Sequence, residues 1–184
     1  MELRNSLNGT YNTQKPIKHS LIIVHKSYRY TPQTKEELMK IIIKRLKDDP
    51  NTNLNDIDVS NITDMSNLFF GLDPYNIDIS KWDVSNVQHM NCVFYGCKNF
   101  NSDLSAWDVS KVKYMNNMFA YCKNFNSDLS AWDVSNVENM SYVFCGCKKF
   151  NSDISQWDVS KVRYMVCMLD GCDSMKELPK WYKS

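Results

Sequence analysis

Trp82, Trp107, Trp132 and Trp157 stand 25 residues apart. A chain that keeps such a spacing builds the same local structure repeatedly, so every fold without repeated units is excluded at the outset. The text around each tryptophan barely changes: Phe100-Asn-Ser-Asp-Leu-Ser-Ala-Trp107-Asp-Val-Ser is followed by near-copies ending at Trp132 and Trp157. Tyr75-Asn-Ile-Asp-Ile-Ser-Lys-Trp82 is the copy before them, and a degraded one carries Ile57 in the tryptophan slot. Five units result, at 50–74, 75–99, 100–124, 125–149 and 150–174.

Apolar columns run through the units. Met65, Met90, Met115, Met140 and Met165 form one, and Phe69, Phe94, Phe119, Phe144 and Leu169 another. Val59, Val84, Val109, Val134 and Val159 form a third, and Ile62, Val87, Val112, Val137 and Val162 a fourth. Cys97, Cys122, Cys147 and Cys172 form the last. One 25-residue unit cannot bury these side chains alone, but stacked neighbours can.

Within a unit, Val112, Met115, Met118 and Phe119 fall at helical spacing behind Ser110, an N-cap residue. Ser85 with Gln88, and Ser135 with Glu138, read as capping boxes. Gly96, Gly146 and Gly171 then stop the helix. Leu104–Val109 is the candidate strand, with Trp107 and Val109 facing one way. The expected class is therefore α/β: a leucine-rich-repeat-like solenoid with one short parallel strand and one short helix per repeat.

The repeated phrase Phe-Asn-Ser-Asp-Leu-Ser-x-Trp-Asp-Val-Ser-x-Val-x-x-Met-x-x-Met-Phe-x-x-Cys closely resembles the repeat of BspA-like leucine-rich-repeat surface proteins of bacteria. The likeness covers about residues 50–184, and Tyr30-Thr-Pro-Gln-Thr-Lys-Glu-Glu-Leu38 resembles the lead-in of that family. The resemblance implies a leucine-rich-repeat fold and a role in adhesion or protein recognition. It offers no catalytic residues to carry over.

The ends read as caps. Thr34-Lys-Glu-Glu37 is a capping box, and Leu38, Ile41, Ile42, Arg45 and Leu46 give the helix behind it one apolar face until Pro50 ends it. With a strand at Leu21–Val24, this makes 19–49 an N-terminal cap. Residues 1–18 are polar and read as a flexible terminus. At 175–184 the pattern breaks, as in a C-terminal cap.

Net charge is +1 over 184 residues. No global field draws the chain to nucleic acid. Leu21–Val24 is too short a run for a signal core or a membrane span, so the sequence as written reads as cytoplasmic. A leader upstream would make it a secreted or anchored surface protein instead. Nothing sets an oligomeric state.

Seven cysteines, an odd number, fit reduced thiols better than a disulfide framework. A cysteine once per repeat is more simply a small buried hydrophobe than a metal ligand. Two aspartate ladders, Asp78, Asp103, Asp128, Asp153 and Asp83, Asp108, Asp133, Asp158, need either calcium or backbone N–H donors to relieve their repulsion, and the calcium-solenoid glycine pattern is missing. The histidines His19, His25 and His89 form no column, and no nucleophile–base pair or phosphate loop stands out. The chain therefore reads as non-enzymatic, with no cofactor or metal.

A finer alternation points to a partner face. Units three and five carry Ser110-Lys-Val-Lys-Tyr-Met and Ser160-Lys-Val-Arg-Tyr-Met, while units two and four carry Asn, Gln, Glu and His at the matching places. Lys111, Lys113, Tyr114, Lys161, Arg163 and Tyr164 would form two basic–aromatic sets about 10 Å apart, suited to an acidic protein partner. As helix first-turn cations they would oppose the helix dipole. Duplication of a 50-residue block explains the same alternation without a partner.

Overall fold

The structure is a computed structural model and describes residues 27–183. The expected flexible terminus at 1–18 and strand at Leu21–Val24 lie outside the described residues.

One helix, α1, spans Lys35–Asp48. The Thr34 hydroxyl caps it, accepting from the Glu37 N–H at 3.2 Å, and the Glu37 carboxylate accepts from the Gln33 N–H at 2.8 Å. Leu38 and Ile42 are fully buried against the first repeat, with Met39, Ile41 and Leu46 packed beside them. Arg45 ties α1 to that repeat. Its guanidinium donates to both Asp56 carboxylate oxygens at 2.9 and 3.2 Å, to the Thr52 hydroxyl and to the Asn53 carbonyl. Lys35 adds an ion pair to Asp64 at 2.7 Å.

The repeats stack directly on one another, and their backbone bonds fall into two alternating sets. In repeat three, the N–H groups of Met115, Asn117, Phe119 and Tyr121 donate to carbonyls of repeat four at 2.7–3.1 Å. Between them, the N–H groups of Met118, Ala120 and Cys122 donate three residues back, to Met115, Asn117 and Phe119. Every second peptide thus joins two repeats, and the rest close tight turns. The pairings Asp64–His89, His89–Tyr114, Tyr114–Asn139 and Asn139–Tyr164 form one line of single parallel bridges down the stack.

This arrangement corrects the expected leucine-rich-repeat-like solenoid. Among the described residues α1 is the only helix, no repeat contains one, and no strand extends beyond a single bridge. Two columns of left-handed backbone prevent a helix in the repeats. Asn67, Cys92, Asn117, Tyr142 and Cys167 have φ of 52° to 63°, and Gly71, Gly96, Tyr121, Gly146 and Gly171 have φ of 64° to 74°. A right-handed helix tolerates no such residue in its interior. The expected strand fails for a different reason. Three-residue turns close Leu104–Trp107 and Val109–Val112, and Asp103 and Asp108 take the Ser105 and Ser110 N–H groups that a ladder would need. The expected capping boxes are absent too: Asp83 accepts from both the N–H and the hydroxyl of Ser85.

The core lies inside the coil of turns. Phe94, Phe119 and Phe144 stack at 5.5 and 5.7 Å, which sets the repeat spacing, and Phe100, Phe125 and Phe150 run beside them. Each indole N–H reaches back to the preceding repeat: Trp82 donates to the Leu54 carbonyl, Trp107 to Ile79, Trp132 to Leu104 and Trp157 to Leu129, all at 2.9–3.2 Å. Trp181 does the same to Ile154, so the terminal segment supplies one more tryptophan although its surrounding text has changed.

Candidate functional site

The six candidate residues lie along three adjacent outward columns, and the first of these is satisfied from within. In the first, the Lys111 ammonium donates to the Asn86 side-chain oxygen at 2.8 Å, and Lys161 donates to Asn136 at 2.7 Å. The two asparagines use their amide N–H groups on the Ser60 and Ser110 carbonyls of the units before them. The Asn–Lys alternation is therefore a clasp spanning three successive units, and this gives the two-unit period a structural reason.

The second column reads Gln88, Lys113, Glu138, Arg163 along the stack. Arg163 lies 3.5 Å from Glu138, with its side chain 72% exposed. The third reads His89, Tyr114, Asn139, Tyr164. His89 and Tyr114 stack at 5.3 Å, while Tyr164 is 61% exposed. Unit four thus places Asn136, Glu138 and Asn139 between the two basic–aromatic sets. With no helix present, the expected conflict between these cations and a helix dipole does not arise.

The aspartate ladders accept from turn backbone. Asp78, Asp83, Asp103, Asp108, Asp128, Asp133, Asp153 and Asp158 each take the N–H of the serine two residues on, at 2.9–3.1 Å. These serine bonds hold Asp103, Asp108, Asp128, Asp153 and Asp158 below the ordinary carboxylate value. Bonding to the charged form is the physical cause.

Four thiols form the buried ladder. Cys97, Cys122, Cys147 and Cys172 donate to the carbonyls of Phe69, Phe94, Phe119 and Phe144 in the preceding unit, at 2.9–3.3 Å. Burial pushes Cys97 and Cys172 up to about 12 and raises Cys122 and Cys147 as well. A thiol held protonated is a poor nucleophile and a poor metal ligand. Cys92, Cys145 and Cys167 sit only part-buried.

One residue passed unnoticed in the sequence. Tyr121 occupies the column filled elsewhere by Gly71, Gly96, Gly146 and Gly171, with φ of 64° and 47% exposure. The signal was an Ala-Tyr pair where the other repeats place glycine second.

A family model described as Mycoplasma protein of unknown function, DUF285, matches residues 38–137 and again 104–184. No curated protein and no solved structure matches the chain.

Proposed function

This chain belongs to the Mycoplasma protein family of unknown function, DUF285, and we propose that it acts as a non-enzymatic scaffold for protein recognition. The observation that carries this reading is the division of labour in each repeat. Apolar columns and every second peptide are spent on stacking, so equivalent outward side chains stand in register at the repeat spacing. A row of identical positions on a stiff support is suited to binding an extended surface. Arg163 and Tyr164, both well exposed, offer cationic and aromatic contacts of the kind that anchor interfaces.

The likeness of the repeat to BspA-like surface proteins supports an adhesive form of the same reading, with the partner outside the cell. Among the described residues no helix is long and apolar enough to cross a membrane. Protease treatment of intact native cells separates the two forms, because loss of the chain places it on the surface.

The reading itself is tested by affinity purification from native cells, followed by titration of the purified chain with any stoichiometric partner. A saturable complex is the expected result. A chain that retains no protein, inside or outside the cell, overturns it.

A further inference from the structure

A second outward row runs along repeats one to four, and the fold does not consume it. Phe70 and Tyr95 stack at 5.1 Å, and Tyr95 meets Tyr121 edge-on at 5.5 Å. The Tyr121 hydroxyl titrates above the ordinary tyrosine value because the Cys145 thiol, then Tyr95, and after them Tyr142, stand close enough to oppose its charge. The ring contacts make the row continuous from Phe70 to Tyr121; Phe70 is 51% and Tyr121 47% exposed, and Tyr142 of repeat four is 38% exposed.

Tyr121 is strained where it stands. Its left-handed backbone suits the glycine found in the other four repeats, and a bulky side chain there is uncommon. Its ring covers Gly146 of the next repeat without being buried itself. Two residues beyond Gly96 and Tyr121 come Lys98 and Lys123. Both are exposed, and neither forms an ion pair among the described residues. This is the opposite of the Lys111 and Lys161 column, where every ammonium has a clasp.

We propose that this aromatic–lysine strip is a partner-binding face distinct from the Arg163–Tyr164 set, and that its partner is an acidic segment bearing apolar side chains. The inference rests on the scaffold reading and names a face for it. Charge complementarity selects the partner. Two unpaired ammonium groups ask for carboxylates, and the tyrosine and phenylalanine edges beside them cover apolar side chains while leaving hydroxyls in water. The Tyr121 ring touches Tyr95 and Gly146, but the other four repeats stack with glycine in its place, so stacking does not require it.

The probe is a fluorescein-labelled peptide of alternating glutamate and leucine, followed by fluorescence anisotropy with the full chain. The wild type is expected to bind it and to ignore the lysine-for-glutamate version. K98E/K123E should weaken binding by about tenfold or more, and Y121G by about threefold, in line with central interface residues. Y121G restores the glycine of its column, so its melting temperature should stay within about 5 °C of wild type, which keeps folding out of the result.

Unchanged affinity in both variants overturns the proposal, and loss of the peptide in K113E/R163E instead moves the face while leaving the scaffold reading intact. Binding to anionic phosphatidylglycerol vesicles but not to the peptide also overturns it, in favour of a membrane surface. So does a wild type that ignores the acidic peptide yet holds a partner purified from native cells.

Discussion

Repeat three and repeat five share nearly the same text but differ in burial. Val112 and Met115 are fully buried in repeat three, while Val162 and Met165, their equivalents in repeat five, are only partly covered. The difference lies in the neighbours. Repeat three has a repeat on each side, while repeat five has only the terminal segment, where Met175, Trp181 and Tyr182 pack on part of its core. Burial in this molecule belongs to the interface between units rather than to a residue type, so one substitution should carry a different cost at each level of the stack.

The largest expected effect tests that directly. Trp107→Ala should destabilise by about 3–5 kcal/mol, since it removes a buried aromatic and its hydrogen bond to repeat two. Trp181→Ala, which cuts the equivalent bond at the half-covered end, should cost about half as much or less. Urea denaturation of both variants measures the ratio, and equal costs would break the comparison. Next come the methionines: Met115→Ala should cost about 2–4 kcal/mol and Met165→Ala about 1 kcal/mol, with hydrogen exchange changing in repeats two to four for the first and in repeat five alone for the second.

Arg45→Ala sharpens the contrast from the other end. It removes the bidentate bond to Asp56 and the bonds to Thr52 and Asn53, and solvent screening of this part-exposed pair limits the cost to about 1–2 kcal/mol. Repeat one should then exchange its amide protons faster, approaching the rate expected of half-covered repeat five. The smallest effect is in the turns. Asp103, Asp108, Asp128, Asp153 and Asp158 are held below their unfolded values, so their contribution is present above about pH 4 and fades as pH falls through the lower folded values. Melting temperature should therefore drop steadily below pH 4. Asp103→Asn keeps an oxygen for the Ser105 N–H, so at neutral pH it should change stability by under about 0.5 kcal/mol while softening the acid response.

The sequence exposed the period and the apolar columns because both are properties of residue identity. The helix α1 was equally legible, since Thr34, Glu37 and the Leu38–Ile42 stripe are local signals of a single kind. Inside the repeats the same reasoning misled. Val112, Met115, Met118 and Phe119 fit a helix by spacing, but they fit a chain of three-residue turns equally well. What separates the two is the left-handed residue between them, and Cys92, Tyr142 and Cys167 give no hint of that conformation. Their backbone is imposed by the repeats above and below, which take every second peptide. The partners of the candidate residues were hidden for a related reason. Lys111 and Lys161 looked free in the text because the asparagines that hold them lie 25 residues earlier, and Tyr121 drew no notice because its place in a glycine column shows only once the backbone is known.

The alternating backbone also gives the rod a direction. Between repeats three and four, the N–H groups of Met115, Asn117, Phe119 and Tyr121 point toward repeat four, while repeat four returns those of Glu138, Asn139 and Lys149 to the carbonyls of Lys113 and Lys123. The forward and returned bonds nearly balance, so the direction shows at the two ends of the stack rather than in a summed dipole. The polarity runs from a carbonyl-rich face at repeat one to an N–H-rich face at repeat five, where the Met165, Cys167 and Gly171 amides meet no acceptor among the described residues. A rod of near-identical units thus has two unlike tips, and a neighbour approaching end-on at repeat five meets open N–H donors.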